Sequence, residues 1–136
     1  MPWLRHLHLS LGDHPVSPVV AYNFHEALQL RSVVLEKFAP SNVELPWAQL
    51  TSMTLSDVYR SEYLRLLRQT SSNLLHCALS IIFESYEEGD PCDIALPRLE
   101  SLTLKDGNSK WAPTQQLRDV FIVPALRSLR ISESFL

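Results

Sequence analysis

The sequence predicts an α/β solenoid: a curved sheet of six parallel strands, with helices and loops on its convex side. The pattern Leu-x-x-Leu-x-Leu, with aliphatic, Met or Cys substitutions, occurs six times, and successive copies start 20 to 27 residues apart. A period of about 20 to 29 residues is typical of leucine-rich repeats. We therefore interpret residues 1–136 as one irregular leucine-rich-repeat domain of about six repeats. The copies begin at Leu4, Leu30, Leu50, Leu74, Leu99 and Leu126.

Each copy is predicted to form one short strand. The last two aliphatic positions of the motif are two residues apart, so they share one face of a strand while their neighbours point the other way. The connections are too long for tight hairpins and suit the return path between parallel strands. We expect burial in one sheet for the paired aliphatic positions, which are Leu7, Leu9, Val33, Leu35, Met53, Leu55, Cys77, Leu79, Leu102, Leu104, Leu129 and Ile131.

Three of the connections carry helix signals. Residues 61–70 combine an apolar stripe at helical spacing with Ser61 as a candidate N-cap. A second helix is predicted over 17–27, because a proline lies in its first turn, and a third over 113–121. The acidic stretch 84–93 is predicted to be an exposed loop.

The tryptophan and cysteine positions are consistent with these repeats. Trp3, Trp47 and Trp111 lie beside strand starts or in the last long connection, and we expect them to pack against the sheet edge or the helix layer. Cys77 occupies an aliphatic motif position, whereas Cys92 lies in the acidic stretch. Two cysteines without CxxC spacing are too few for a disulfide framework or a zinc cluster, so we expect an intracellular protein of the cytoplasm or nucleus.

Composition excludes several function classes. The 136 residues include 46% hydrophobic and 20% charged side chains, which is the balance of a folded chain. A net charge of −3 lacks the basic excess that nucleic-acid binding requires. Three scattered glycines cannot build a phosphate-binding loop, and no apolar stretch is long enough for a membrane helix. We expect no cofactor, no metal and no catalysis.

The residues between the motif aliphatics are predicted to form three columns on the concave face. The columns are His6, Ser32, Ser52, His76, Ser101 and Ser128; then His8, Val34, Thr54, Ala78, Thr103 and Arg130; then Ser10, Glu36, Ser56, Ser80, Lys105 and Ser132. We interpret this face as a protein-binding surface. The candidate contact residues are His6, His8, Ser32, Ser52, Thr54, His76, Ser101, Thr103, Lys105, Ser128 and Arg130.

Three other interpretations of this face stay open. It could be an ordinary solvated surface, since small hydroxyl side chains dominate and an aromatic anchor is absent. His6 and His8 have the spacing of a metal pair, but the neighbouring strand offers only Ser32 and Val34 as further ligands. Histidines and serines sharing a face could serve a small hydrolase, although no nucleophile motif accompanies them.

The chain resembles the repeat region of the F-box/leucine-rich-repeat proteins of mushroom-forming fungi. The resemblance is carried by the repeated Leu-Pro-x-Leu-x-Ser-Leu-x-Leu, by 45–51 (Leu-Pro-Trp-x-Gln-Leu-Thr) and by 66–74. It implies that the repeats recognise a protein to be ubiquitinated, while an F-box docks on the adaptor of a cullin-RING ligase. Nothing before Leu4 could form an F-box, so we expect a fragment of a longer chain. The alternative is a structural repeat fragment without independent activity.

The two ends of the solenoid are predicted to be exposed. A solenoid buries its core by stacking repeat on repeat, so terminal repeats need polar caps. Here the first strand begins within a few residues of Met1, and apolar Phe135 and Leu136 follow the last one. We therefore expect the isolated chain to be marginally stable and to self-associate through its ends.

Overall fold

Six parallel strands form the main sheet and follow one another in chain order. The computed structural model describes residues 3–10, 22–23, 27–36, 43–70, 72–82, 92–106 and 120–132. With strands numbered in chain order, the main sheet contains β1 (His6–Ser10), β3 (Ser32–Glu36), β5 (Ser52–Tyr59), β6 (His76–Ile82), β8 (Ser101–Asp106) and β10 (Ser128–Ile131). They are arranged β1-β3-β5-β6-β8-β10, and each pair of neighbours is parallel. The predicted parallel solenoid of successive repeats is therefore confirmed, while the curvature of the sheet stays a prediction.

Two short parallel ladders lie in the connections where helices were expected. The pair β2 (Tyr22–Asn23) and β4 (Val43–Glu44) forms one, and β7 (Asp93–Ala95) and β9 (Val120–Ile122) form the other. The helix predictions over 17–27 and 113–121 are thus wrong within the described residues, because pairing between neighbouring repeats overrides the local helix signals. Several predicted segments lie outside the described residues: 17–21, 24–26 and 113–119 of the two predicted helices, 84–91 of the predicted loop, and Trp111.

The helix predicted over 61–70 is present as α1 (Arg60–Thr70) and covers the buried side of the sheet. Tyr63, Leu66, Leu67 and Thr70 recur at helical spacing and are buried. The Thr70 hydroxyl donates to the Leu66 carbonyl at 3.0 Å, so this buried polar group is satisfied.

Helix α1 begins one residue before the predicted N-cap. Ser61 therefore lies inside the helix and not at the predicted N-cap position. The Glu62 carboxylate instead accepts a hydrogen bond from the Tyr59 backbone N–H at 3.4 Å, which is the returning half of a capping box. This contact fixes the direction in which the chain leaves β5.

The motif aliphatics of the four inner strands form the hydrophobic core. They alternate with less buried neighbours, as the period of a half-buried strand requires. The core positions confirmed as buried are Val33, Leu35, Met53, Leu55, Cys77, Leu79, Leu102 and Leu104. Leucines that start the motif, such as Leu30, Leu50 and Leu99, belong to the same cluster. One continuous core thus runs through the stacked repeats.

Burial at the two outermost strands is less than predicted. Leu7 and Leu9 of β1 are only half-buried, and on β10 Leu129 is 50% exposed and Ile131 38% exposed. These four predictions of burial are wrong. The register is the same as in the inner strands, but within the described residues each outer strand has a neighbour in the main sheet on one side only. Repeat stacking therefore supplies the burial, and it is incomplete at both ends.

Candidate functional site

The predicted columns are built by the strand register. Direct partners run in one row from His6 to Ser128 through Ser32, Ser52, His76 and Ser101. A second row runs from His8 to Arg130 through Val34, Thr54, Ala78 and Thr103. We call the surface formed by these two rows, together with Ser10, Glu36, Ser56, Ser80 and Lys105, the polar face. Every one of these side chains is at least partly exposed, so all the candidate contact residues share one surface.

The third column is interrupted by a β-bulge that the sequence analysis missed. Leu55 pairs with Leu79 and Val58 with Ile81, so Ser56 and Asp57 together stand opposite Ser80. Asp57 has a φ of 59°, a left-handed conformation that Asp tolerates better than most residues. The extra residue shifts the alternation by one position, so that Val58 enters the core beside Ile81 and Asp57 does not. A carboxylate inside an apolar strand was the only sequence signal for this bulge.

A shared carbonyl at the start of each strand sets the spacing of the polar face. The Arg5 carbonyl accepts hydrogen bonds from the N–H groups of Arg31 at 2.9 Å and Ser32 at 3.1 Å. The same arrangement recurs at the next four junctions, where the accepting carbonyls belong to Arg31, Thr51, Leu75 and Glu100. Because every junction uses the same contact, the two rows that begin at His6 and His8 remain aligned across all six strands.

Tight turns precede several strands and explain the prolines of the motif. The N–H of the first motif leucine donates to the carbonyl three residues earlier, as in Leu99 to Leu96 at 3.3 Å and Leu126 to Val123 at 3.1 Å. Pro97 and Pro124 therefore occupy the second position of a β-turn, where the fixed φ of proline is favoured. Because the same turn recurs, the strands that follow these turns begin at corresponding positions in the sheet.

Two amide side chains, those of Gln49 and Asn73, each connect their own turn to the preceding repeat. The Gln49 amide donates to the carbonyls of Ala27 and Leu30, both at 2.9 Å. Asn73, at the equivalent place before Leu74, donates to the Ala48 carbonyl at 2.7 Å. The sequence analysis placed Gln49 in the 45–51 motif but did not predict its hydrogen bonds to the preceding repeat. The usable signal was an amide residue directly before the first motif leucine in consecutive repeats.

Charge on the polar face is sparse and lies toward its ends. The His8 Nε2 and Glu36 Oε1 atoms are 3.3 Å apart across β1 and β3, and both side chains are largely solvent-exposed. Lys105 and Arg130 lie near the opposite end, and both are exposed. Exposed ion pairs contribute little to stability. The centre of the face consists of the small side chains Thr54, Ala78 and Thr103.

The metal and hydrolase interpretations both concern the histidines of the polar face and the serines beside them. His6 and His8, the pair that the metal interpretation uses, lie on one face of β1, and their direct partners on β3 are Ser32 and Val34. Across the described ranges, no group of three His, Cys, Asp or Glu residues could hold a metal. His76 lies in register between Ser52 and Ser101.

The two cysteines occupy contrasting environments. Cys77 is buried beneath the polar face, and desolvation by burial raises the pKa of its thiol from the ordinary value of 9.0 to about 12. Cys92 is partly exposed, and the Arg68 guanidinium donates to its sulfur at 4.0 Å. The predicted apolar role of Cys77 is confirmed.

The chain matches no protein-family model, no curated protein and no solved structure. Of the helices in the described part of the chain, none has the length and apolar character needed to cross a membrane.

Proposed function

We propose that this chain is a protein-recognition module whose polar face contacts a partner protein, and that it has no catalytic function of its own. The observation that carries the proposal is the alignment of two complete rows of partly exposed side chains across six strands. A surface of this kind extends over about 24 Å, which suits a folded protein or an extended peptide better than a small molecule.

The composition of the polar face supports a particular kind of contact. Hydroxyl groups from Ser32, Ser52, Thr54, Ser101 and Thr103 can both donate and accept hydrogen bonds. The centre of the polar face, which lacks large side chains, admits close approach of a partner backbone. Large aromatic and Arg anchors usually dominate interface energy, and only Arg130 is of that kind. We therefore propose a partner that supplies its own large side chains and binds with moderate affinity.

In its more specific form, the proposal assigns the chain to the irregular leucine-rich repeats of an F-box type ubiquitin-ligase receptor, acting in the cytoplasm or nucleus. This form rests on the sequence resemblance, and the in-register stack of repeats agrees with it. The bound protein would then be a substrate for ubiquitination. Depleting the protein in its source cells should lengthen the half-life of the partner; an unchanged half-life removes the ligase role and leaves recognition intact.

The recognition proposal is tested by a bulky substitution at the centre of the polar face. Thr103→Arg adds a long side chain to an outward position and should abolish capture of the partner from extracts of the source cells. Gln69→Arg, on the exposed side of α1, is the matched control and should leave capture unchanged. Partners bound equally well by the unchanged chain and by both variants would contradict a contact through the polar face. Matching thermal melts establish that the variants are folded.

A further inference from the structure

The two outer strands of the main sheet leave apolar surface exposed. At one end, which we call the tail, the exposed large apolar side chains are Val120, Ile122, Leu129 and Ile131. At the other end, which we call the head, Leu7 and Leu9 are half-buried and Trp3 is 81% exposed, contrary to the predicted packing of this tryptophan. Leu102, one strand in from Leu129, is only 2% exposed. Among the described residues, neither end has the cover that an adjoining repeat gives to the inner strands.

The inner junctions specify what would cover the tail. Each one joins a carbonyl at the start of one strand to two N–H groups of the next, with motif aliphatics paired directly. The tail presents the equivalent groups: the Arg127 carbonyl precedes β10, and Leu129 and Ile131 occupy the motif positions. A covering strand must be parallel, carry the same alternation and have a free edge of its own. Within the described residues, β1 is such a strand, because its neighbour in the sheet is β3 alone.

We propose that copies of this chain associate head to tail, with β1 of one copy adding to β10 of another as a seventh parallel strand. Continuing the observed register pairs Leu129 with Leu7 and Ile131 with Leu9 of the second copy. The Arg127 carbonyl then accepts from the N–H groups of Arg5 and His6 of that copy, as the Glu100 carbonyl does from Arg127 and Ser128. This surface is separate from the polar face, so the inference does not depend on the proposed function.

Head-to-tail association differs in kind from a symmetric pair. It is heterologous, so it leaves one free head and one free tail on every assembly and permits further growth. A tail-to-tail pair would instead bring two β10 strands together antiparallel. That arrangement would cover Leu129 without reproducing the shared-carbonyl contact found at all five inner junctions. The two modes consequently respond differently when one end is blocked.

Each end can be blocked by substitutions that spare the inner junctions. At the tail, Leu129→Lys combined with Ile131→Lys places charge on side chains that are already exposed. At the head, the Arg5 carbonyl faces β3, so by alternation the N–H groups of His6 and His8 point away from β3. His8→Pro removes one of those outward donors, and proline is tolerated on edge strands. His6→Pro is a second head variant, because it removes the other outward N–H group.

Two further variants serve as controls. Leu28→Lys makes the tail substitution at a leucine that is exposed in the turn before β3, an inner strand. His8→Ala removes the same side chain, with its contact to Glu36, but keeps the backbone N–H. Both should associate as the unchanged chain does.

Sedimentation velocity over a range of concentrations tests the proposal. We expect the unchanged chain to grow beyond its 15.5 kDa monomer as concentration rises. Tail-blocked and head-blocked variants should each remain monomeric alone, and their equimolar mixture should form a species of twice the monomer mass. A monomeric unchanged chain, a mixture that stays monomeric, or a head-blocked variant that still dimerises would each overturn head-to-tail association. Circular dichroism establishes that both variants are folded.

Discussion

Leu102 and Leu129 are the same residue at the same motif position in neighbouring strands, yet their environments differ sharply. They are direct partners in the ladder between β8 and β10. Leu102 is 2% exposed, whereas half of Leu129 is exposed to solvent. The difference lies in the neighbours, since among the residues that the structure describes β8 has a strand on both sides and β10 is paired only with β8. In this fold, a residue's burial is conferred by the adjoining repeats as much as by its own position.

The largest expected effect comes from truncating these two leucines. Leu102→Ala should lower the free energy of unfolding by about 2 to 5 kcal/mol, because the central core cannot collapse around the cavity. Leu129→Ala should cost about 1 kcal/mol or less, since much of that side chain is already in water. Urea unfolding at low protein concentration measures both. Equal losses would contradict the proposed dependence of burial on flanking strands.

A smaller effect is expected at the amide that joins two inner repeats. Gln49→Glu keeps the size of the side chain but replaces its donor with a carboxylate facing the carbonyls of Ala27 and Leu30. Losing both donors should cost about 1 to 3 kcal/mol. Gln69→Glu, on the exposed side of α1, makes the same chemical change and should be close to neutral. Thermal melts of the pair compare them, and equal melting temperatures would remove Gln49 as a structural link.

The bulge in β5 gives a third comparison, between two substitutions at one position. Asp57→Val puts a β-branched residue into the left-handed conformation and should destabilise the fold by about 1 to 2 kcal/mol. Asp57→Asn should be almost neutral, because Asn tolerates this conformation as Asp does. Chemical unfolding distinguishes the two. A neutral valine variant would show that β5 can relax to a regular strand.

The fourth comparison is between the two cysteines: Cys77 lies on the inner strand β6, and Cys92 directly precedes β7. Thiol reagents should modify Cys92 in the native protein and reach Cys77 only on unfolding, because Cys77 is buried and its thiolate is disfavoured. Mass spectrometry of partly labelled protein identifies the modified site. Equal labelling of both cysteines under native conditions would contradict the assigned register.

The raised pKa of Cys77 also predicts a dependence of stability on pH. Between pH 9.0 and about 12 the unfolded thiol loses its proton while the native one keeps it. The unfolded state then binds fewer protons, so the contribution of this group to stability is full below pH 9.0 and falls as pH rises. Cys77→Ala should show a shallower decline over that range. The difference between the two slopes isolates Cys77 from the other groups that titrate there.

The repeated motif was enough to predict the number of strands in the main sheet, their parallel direction and the pairing of the first two columns. Partner rows such as Ser52, His76 and Ser101 follow from aligning the copies, because each junction repeats the same backbone contact. The motif said nothing about whether a given copy lies inside or at the end of the stack. For that reason Leu9 and Ile131 were predicted to be as buried as Leu35, and they are not.

The connections were predicted less well, because their structure depends on partners distant in sequence. Tyr22 and Phe121 carry local helix signals, yet Tyr22 pairs with Val43 and Phe121 with Ile94. Gln49 and Asn73 are ordinary polar residues in the sequence, and their roles appear only when the turn of the preceding repeat is placed beside them. Helix α1 was predicted because its apolar stripe is local and complete.

The shared carbonyl at each junction has a consequence for how such a chain can evolve. The accepting residues Arg5, Arg31, Thr51, Leu75 and Glu100 make the same contact, although the lengths of chain between them differ. Register is therefore set anew at every strand start and is independent of the length of the preceding loop. Insertions and deletions between strands can accumulate without displacing the columns. A whole repeat can also be duplicated in frame, which adds one strand to the main sheet.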